Sequence, residues 1–90
     1  MSTFSYDELK KKLEQNSTWP SVYMFKFIVP SDNKKIALVE RLFDDGAEIK
    51  LQPSSKGTYT SITIRTVMLS PDHVIDIYKK ASEIEGILSL

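Results

Sequence analysis

The stretch of this chain best equipped for chemistry is Ser54-Ser55-Lys56-Gly57. Two hydroxyls, an ammonium and a glycine able to turn at positive φ can present several donors to a phosphate or a carboxylate. The same four residues are also ordinary hairpin material, because a tight turn needs a Gly. Both readings stay open on the residues alone. Ser31, Asn33 and Lys34 stand between an alternating apolar segment and a helical pattern. They therefore sit at a helix N-terminus, where backbone N–H groups and the helix dipole favour an anion. His73 is the sole imidazole; with no Cys and no second His to work with, it reads as exposed and idle. Asp44, Asp45 and Asp72 read as helix-end residues rather than metal ligands. The Lys10-Lys11-Lys12 run reads as a solvated helix face. No metal and no cofactor is expected.

Composition narrows the choice further. The chain has 90 residues, twelve Lys plus Arg against twelve Asp plus Glu, no Cys, three Gly and four Pro. One two-layer core fits this length, and a large multidomain enzyme does not. Zero net charge removes the general attraction to nucleic acid or anionic lipid. Without Cys there is no disulfide scaffold, thiol nucleophile or Cys-based zinc site. Asp7, Glu8 and the lysine run stand where a secretory signal would be apolar, and Val22–Val29 is interrupted by Lys26 and too short to span a bilayer. A cytosolic bacterial protein, bound neither to membrane nor to nucleic acid, is the expectation.

The elements that must position these residues follow from periodicity. Ser5 as N-cap with Glu8 three residues on forms a capping box, with Phe4 able to staple Leu9, and starts a helix to about Gln15. Residues 1–18 thus form a helical appendage to a single domain at 19–90. Tyr23, Phe25, Phe27 and Val29 alternate with Val22, Met24, Lys26 and Ile28 in a strand. Pro30 to Asn33 turns the chain. Ile36, Val39, Leu42 and Phe43 then recur at helical spacing until Gly46. Ala47, Ile49 and Leu51 alternate with Glu48, Lys50 and Gln52 up to Pro53, as suits an edge strand. A long β-branched strand over 58–68 pairs with it as a hairpin. Ser70-Pro71-Asp72 starts a second core helix whose stripe is Val74, Ile77, Tyr78, Ala81 and Ile84, closed by Gly86. Ile87–Leu90 is short and apolar, hence a last strand.

This order predicts an α+β, ferredoxin-like βαββαβ two-layer sandwich with an extra N-terminal helix. Its antiparallel sheet runs 4-1-3-2, with both core helices on one face. Parity sends Tyr23, Phe25, Phe27, Ile62 and Ile64 to the helix side. Met24, Lys26, Ile28, Ser61, Thr63, Arg65 and Val67 face the other way. Met24, Lys26, Ile28, Arg65 and Val67 then form either a homodimer or partner interface, or a face covered by the N-terminal helix. The topology also gathers Ser31, Asn33, Lys34, Ser54, Ser55, Lys56 and Gly57 at one end of the sheet, a candidate site for a small anionic metabolite.

Functions hosted by this fold can be weighed on those positions. RNA-recognition modules stack bases on central-strand aromatics, and only Tyr59 qualifies here. Acylphosphatase-like chemistry needs a Gly-rich loop with Arg after the first strand, where this chain has Val29-Pro30-Ser31-Asp32-Asn33. Pro53-Ser54-Ser55-Lys56-Gly57-Thr58-Tyr59-Thr60-Ser61, preceded by Phe25-Lys26-Phe27, resembles the P-S-S-K-G-x-Y-x-S signature of the YbeD-like bacterial family of unknown function. The similarity spans about residues 20–90. It implies an ACT-related, ferredoxin-like fold and singles out Pro53, Tyr59 and Ser61 beside the hairpin residues; some members carry a label as regulators connected with lipoate metabolism. The reading is a non-enzymatic regulatory or small-molecule-sensing module. Its alternative is a protein-interaction adaptor using the open sheet face or an edge strand.

Overall fold

The computed structural model describes residues 5–90. Its elements are α1 (Tyr6–Asn16), β1 (Ser21–Pro30), α2 (Asn33–Glu40), β2 (Glu48–Pro53), β3 (Tyr59–Met68), α3 (Pro71–Ala81) and β4 (Leu88–Ser89). One antiparallel four-stranded sheet has the order β2-β3-β1-β4, which from the other edge is 4-1-3-2. The hairpin register sets Glu48 opposite Arg65 and Leu51 opposite Ile62. The central pair sets Phe25 opposite Ile64 and Phe27 opposite Ile62.

Alternation builds the core. Phe25, Phe27 and Val29 from β1 meet Ile62, Ile64 and Met68 from β3, and Val39, Val74, Ile77 and Ala81 close them from the helix layer. Burying each large apolar side chain contributes roughly 1.5–3 kcal/mol. The rings interlock: Phe25 has centroids at 4.8 Å from Tyr23, 5.2 Å from Phe43 and 5.2 Å from Tyr78. Edge-on pairs of this kind add about 0.5–1.5 kcal/mol each.

Helix starts follow the capping chemistry. The Ser5 hydroxyl accepts from the Glu8 N–H at 3.4 Å, Asp32 from Lys34 N–H at 2.9 Å and Ser70 from His73 N–H at 3.2 Å. The expected Phe4–Leu9 staple lies outside the described residues. Helix ends come sooner than periodicity suggests. α2 stops at Glu40 instead of running to Gly46, because the N–H groups of Leu42 and Phe43 turn to the carbonyls three residues back, at 3.1 and 3.2 Å. That tighter turn still brings Phe43 onto Phe25, and Asp44-Asp45-Gly46 has little helix preference to resist it. α3 likewise ends at Ala81: the Ser82 hydroxyl donates to the Lys79 carbonyl at 2.6 Å and Ile84 N–H bonds Ala81 at 3.0 Å. Ile84 stays buried outside the helix.

α1 settles one open alternative by lying on the helix layer and leaving the open sheet face alone. Leu13 is buried in the core, with Tyr6, Leu9 and Trp19 packed beside it. The Trp19 indole N–H donates to the Leu13 carbonyl at 3.2 Å. Lys10 reaches Asp72 at 2.9 Å, and the Lys79 ammonium stands 5.5 Å from the Tyr6 ring centroid. The lysine run is thus not wholly solvated, since its first member ties α1 to the start of α3. That hydrogen bond, and the charge of Asp72 behind it, raise the Lys10 pKa.

Candidate functional site

The loop end of the sheet is a bonded cluster. Ser31 N–H donates to the Thr58 carbonyl at 2.9 Å, and the Ser31 hydroxyl meets that of buried Thr60 at 2.8 Å. A Cβ on Gly86, at φ +82°, would come within 3.1 Å of the Pro30 ring, so that turn rests on the same loop. The three connections therefore meet as the topology requires.

Within the hairpin the chemistry is turned inward. Gly57 N–H donates to the Ser54 carbonyl at 2.9 Å, Ser54 N–H to the Tyr59 carbonyl at 2.7 Å, and the Ser54 hydroxyl accepts from Tyr59 N–H at 3.2 Å. Gly57 has φ +74° with open space around it, so the backbone conformation and not crowding calls for glycine. Ser55 and Lys56 are exposed, as is Asn33. Lys34 lies apart from the hairpin, on a groove between α2 and the end of α3 shared with Lys35, Lys80, Glu83 and Glu85. Ser31 is thus joined to β3, while the ammonium groups of Lys34 and Lys56 belong to different surfaces. His73 is half-buried and not idle: its Nδ1 accepts from Leu69 N–H at 3.2 Å and braces the approach to α3.

The open face divides in two. Toward the loop end, Lys26 and Lys50 flank Thr63 across the strands, with Ser61 and Gln52 in the next row. These five line a shallow depression of about 430 Å³. Toward the other end, Val22 pairs with Val67 and Met24 with Arg65. Val22, Met24 and Val67 are each 57% exposed there, while Leu88, beside Ile28 at the loop end, is 58% exposed. Signature residue Ser61 sits on this face, and Pro53 and Tyr59 are exposed at its margin.

A third feature escapes sequence reasoning. Tyr6 and Leu9 of α1, Tyr23 of β1, Tyr78 and Ser82 near the end of α3, and Ser89 and Leu90 enclose a cleft of about 480 Å³. The Tyr23 and Tyr78 hydroxyls meet at 3.0 Å. Burial first, and the Tyr23 hydroxyl second, push the Tyr78 hydroxyl well above the ordinary tyrosine value. Only the parity of Tyr23 and the helical position of Tyr78 hint at their meeting, and neither residue stands in a motif. Among the described residues no three His, Asp or Glu gather as a cation site, and no helix is long and apolar enough to cross a membrane.

The family model described as "Protein of unknown function (DUF493)" matches residues 14–90. A UPF0250 protein of Shewanella sp. strain ANA-3 is 29% identical over 83 residues, covering 88% of this chain and 94% of the relative. A UPF0250 protein of Shewanella baltica strain OS155 is 30% identical, with the same coverage of each chain. No solved structure shows significant similarity. The match takes in both core helices, the whole sheet and the signature hairpin, and it agrees with the YbeD-like resemblance of that hairpin: the chain belongs to the DUF493 family of proteins of unknown function.

Proposed function

We propose that this is a non-enzymatic regulatory adaptor of the bacterial cytosol that docks another protein on the open side of its sheet. One observation carries the reading: Val22, Met24 and Val67 adjoin one another, each more than half exposed, on a face that no described helix covers. Contiguous exposed apolar surface on a small domain marks an interaction site more often than chance exposure does. The charges beside it state the partner's chemistry. Among the described strand residues, Lys26, Lys50 and Arg65 stand on this face against Glu48, in a chain with no net charge. A matching surface is apolar at its centre and fringed with carboxylates. The ferredoxin-like, ACT-related fold implied by the family resemblance suits a module that works by such contacts.

The test is affinity of a purified binding partner, recovered by the wild-type chain, for two variants. Val67→Asp should weaken it at least tenfold and Lys50→Glu severalfold, with unchanged circular dichroism. Undiminished binding by both would remove the open face from the function.

The tyrosine-lined cleft favours a second reading, a small-molecule sensor. Its apolar walls and paired hydroxyls suit a flat apolar ligand with one polar group. An anionic metabolite bound near Lys56 would instead have to recruit Ser55, since the Ser54 hydroxyl is engaged in its own turn. Thermal shift separates these: stabilisation by aromatic carboxylates that Tyr78→Phe abolishes supports the cleft, and stabilisation by anions that Lys56→Ala abolishes supports the hairpin.

A further inference from the structure

The two sides of β1 are unequally occupied. β3 pairs with it along its whole length, from Ser21 to Pro30. β4 meets it only at Phe27 and Ile28, with one further bond from Leu90 N–H to the Lys26 carbonyl at 2.9 Å. In an antiparallel ladder alternate residues direct both N–H and C=O to the same neighbour. Lys26 points to the β4 side, so Met24 and Val22 do as well. Among the described residues no strand pairs with them there; the Val22 carbonyl has only a long 3.5 Å contact from the Ser21 hydroxyl.

Sheets usually blunt such an edge with charge, proline or a bulge. β2, at the far side, follows that rule with Glu48, Lys50 and Pro53. Ser21-Val22-Tyr23-Met24-Phe25 carries no charge and no proline. We infer that this segment is the self-association edge of the protein, where a second copy lays its own residues 21–25 antiparallel to form one continuous eight-stranded sheet across a two-fold axis at Tyr23.

The register follows from the flanking residues. With the axis on Tyr23, Val22 faces Met24 of the other copy, and each such pair exchanges two backbone hydrogen bonds. An axis on Val22 would set Met24 against Pro20, which has no N–H to give. An axis on Met24 would set Val22 against Lys26, whose carbonyl Leu90 already holds. The slot between Pro20 and Leu90 is therefore filled by the segment that lines it. No like charges meet across the axis. Val22 of one copy also lies beside Met24 of the other on the open face, joining the apolar clusters of the two copies into one surface. On the helix side the cleft lined by Tyr23 and Leu90 adjoins this edge. The contact is isologous and closes on itself, so it ends at two copies. It does not depend on what docks on the rest of the open face.

Sedimentation velocity over a micromolar to millimolar series tests it, read together with amide hydrogen exchange. The wild type should move from the 10.3 kDa monomer to twice that mass, and the Val22 and Met24 amides should gain protection in step. Met24→Pro deletes an edge-directed N–H while sparing the ladder to β3, and should stay monomeric with wild-type circular dichroism. Met24→Lys, which sets a cation at each end of the pairing, should do the same and serves if the proline variant does not fold. Val67→Asp, off the edge, should leave the dimer intact even if it abolishes docking of another protein. A wild type that stays monomeric contradicts the inference, as does a dimer that survives both Met24 variants or is dissolved by Val67→Asp. Protection of Val22 and Met24 that does not change with concentration also contradicts it, because the chain would then be covering its own edge.

Discussion

Two faces of the same sheet, built from alternate residues of the same strands, have opposite fates. Phe25 and Phe27 are wholly buried, whereas Met24, next to Phe25 in the chain, is 57% exposed. Neighbours one position apart thus hold the fold together or meet solvent, and the difference is not hydrophobicity, since Val22, Met24, Val67 and Leu88 are as apolar as much of the core. What differs is cover: all three described helices lie on one side. Apolar side chains retained on the uncovered side contribute little to folding, and their use has to be sought in contacts with other molecules.

Substitutions should separate the two faces by their effect on stability. The largest effect should come from Phe25→Ala, which leaves a cavity among Tyr23, Phe43 and Tyr78 and should cost about 3–5 kcal/mol; Met24→Ala, its sequence neighbour, should cost under about 0.5 kcal/mol in the monomer by urea denaturation. If the two losses are similar, the faces are not distinct. Gly86→Ala should cost about 1–3 kcal/mol, from a positive φ and from contact with the Pro30 ring. Ser31→Ala leaves the buried Thr60 hydroxyl without its partner and should lower stability by about 1 kcal/mol, whereas Lys56→Ala, at an exposed position of the hairpin, should leave the midpoint unchanged.

Alkali offers a gentler probe of the covered side. The Tyr78 hydroxyl is harder to ionise folded than unfolded, so its contribution is intact below the ordinary tyrosine value of 10.0. Above that pH the unfolded chain loses the proton first and stability declines as the pH climbs toward the raised folded value. Tyr78→Phe should flatten the decline in a pH series of melting curves; an unaltered slope would show that the tyrosine pair is not what burial protects.

Much of this architecture is legible in the residues, because the period-two patterns of 22–29 and 58–68 admit one partition into faces and the Ser70-Pro71 start admits one helix boundary. Helix ends are less legible. Leu42, Phe43 and Ile84 keep the helical spacing although their backbone has already tightened into three-residue turns, so side-chain periodicity overstates helix length. The candidate sites are less legible still. The Ser-Ser-Lys-Gly hairpin attracts attention by composition, yet composition cannot tell that Ser54 turns its hydroxyl on Tyr59. The tyrosine-lined cleft and the free half of β1 depend on where α1 docks and how little of β1 is reached by β4, and neither is encoded in a local pattern.

If the open face is the working surface, site-specific photo-crosslinking should find the partner there. A photoreactive residue placed at Val67 or Lys50 on the open face, and at Asp76 or Lys80 on the exposed side of α3, should be irradiated in cells producing the protein. Discrete adducts from the two open-face positions, lost on reversing the charge of Lys26, are the predicted result. Adducts from the α3 positions with none from Val67 or Lys50 would contradict it.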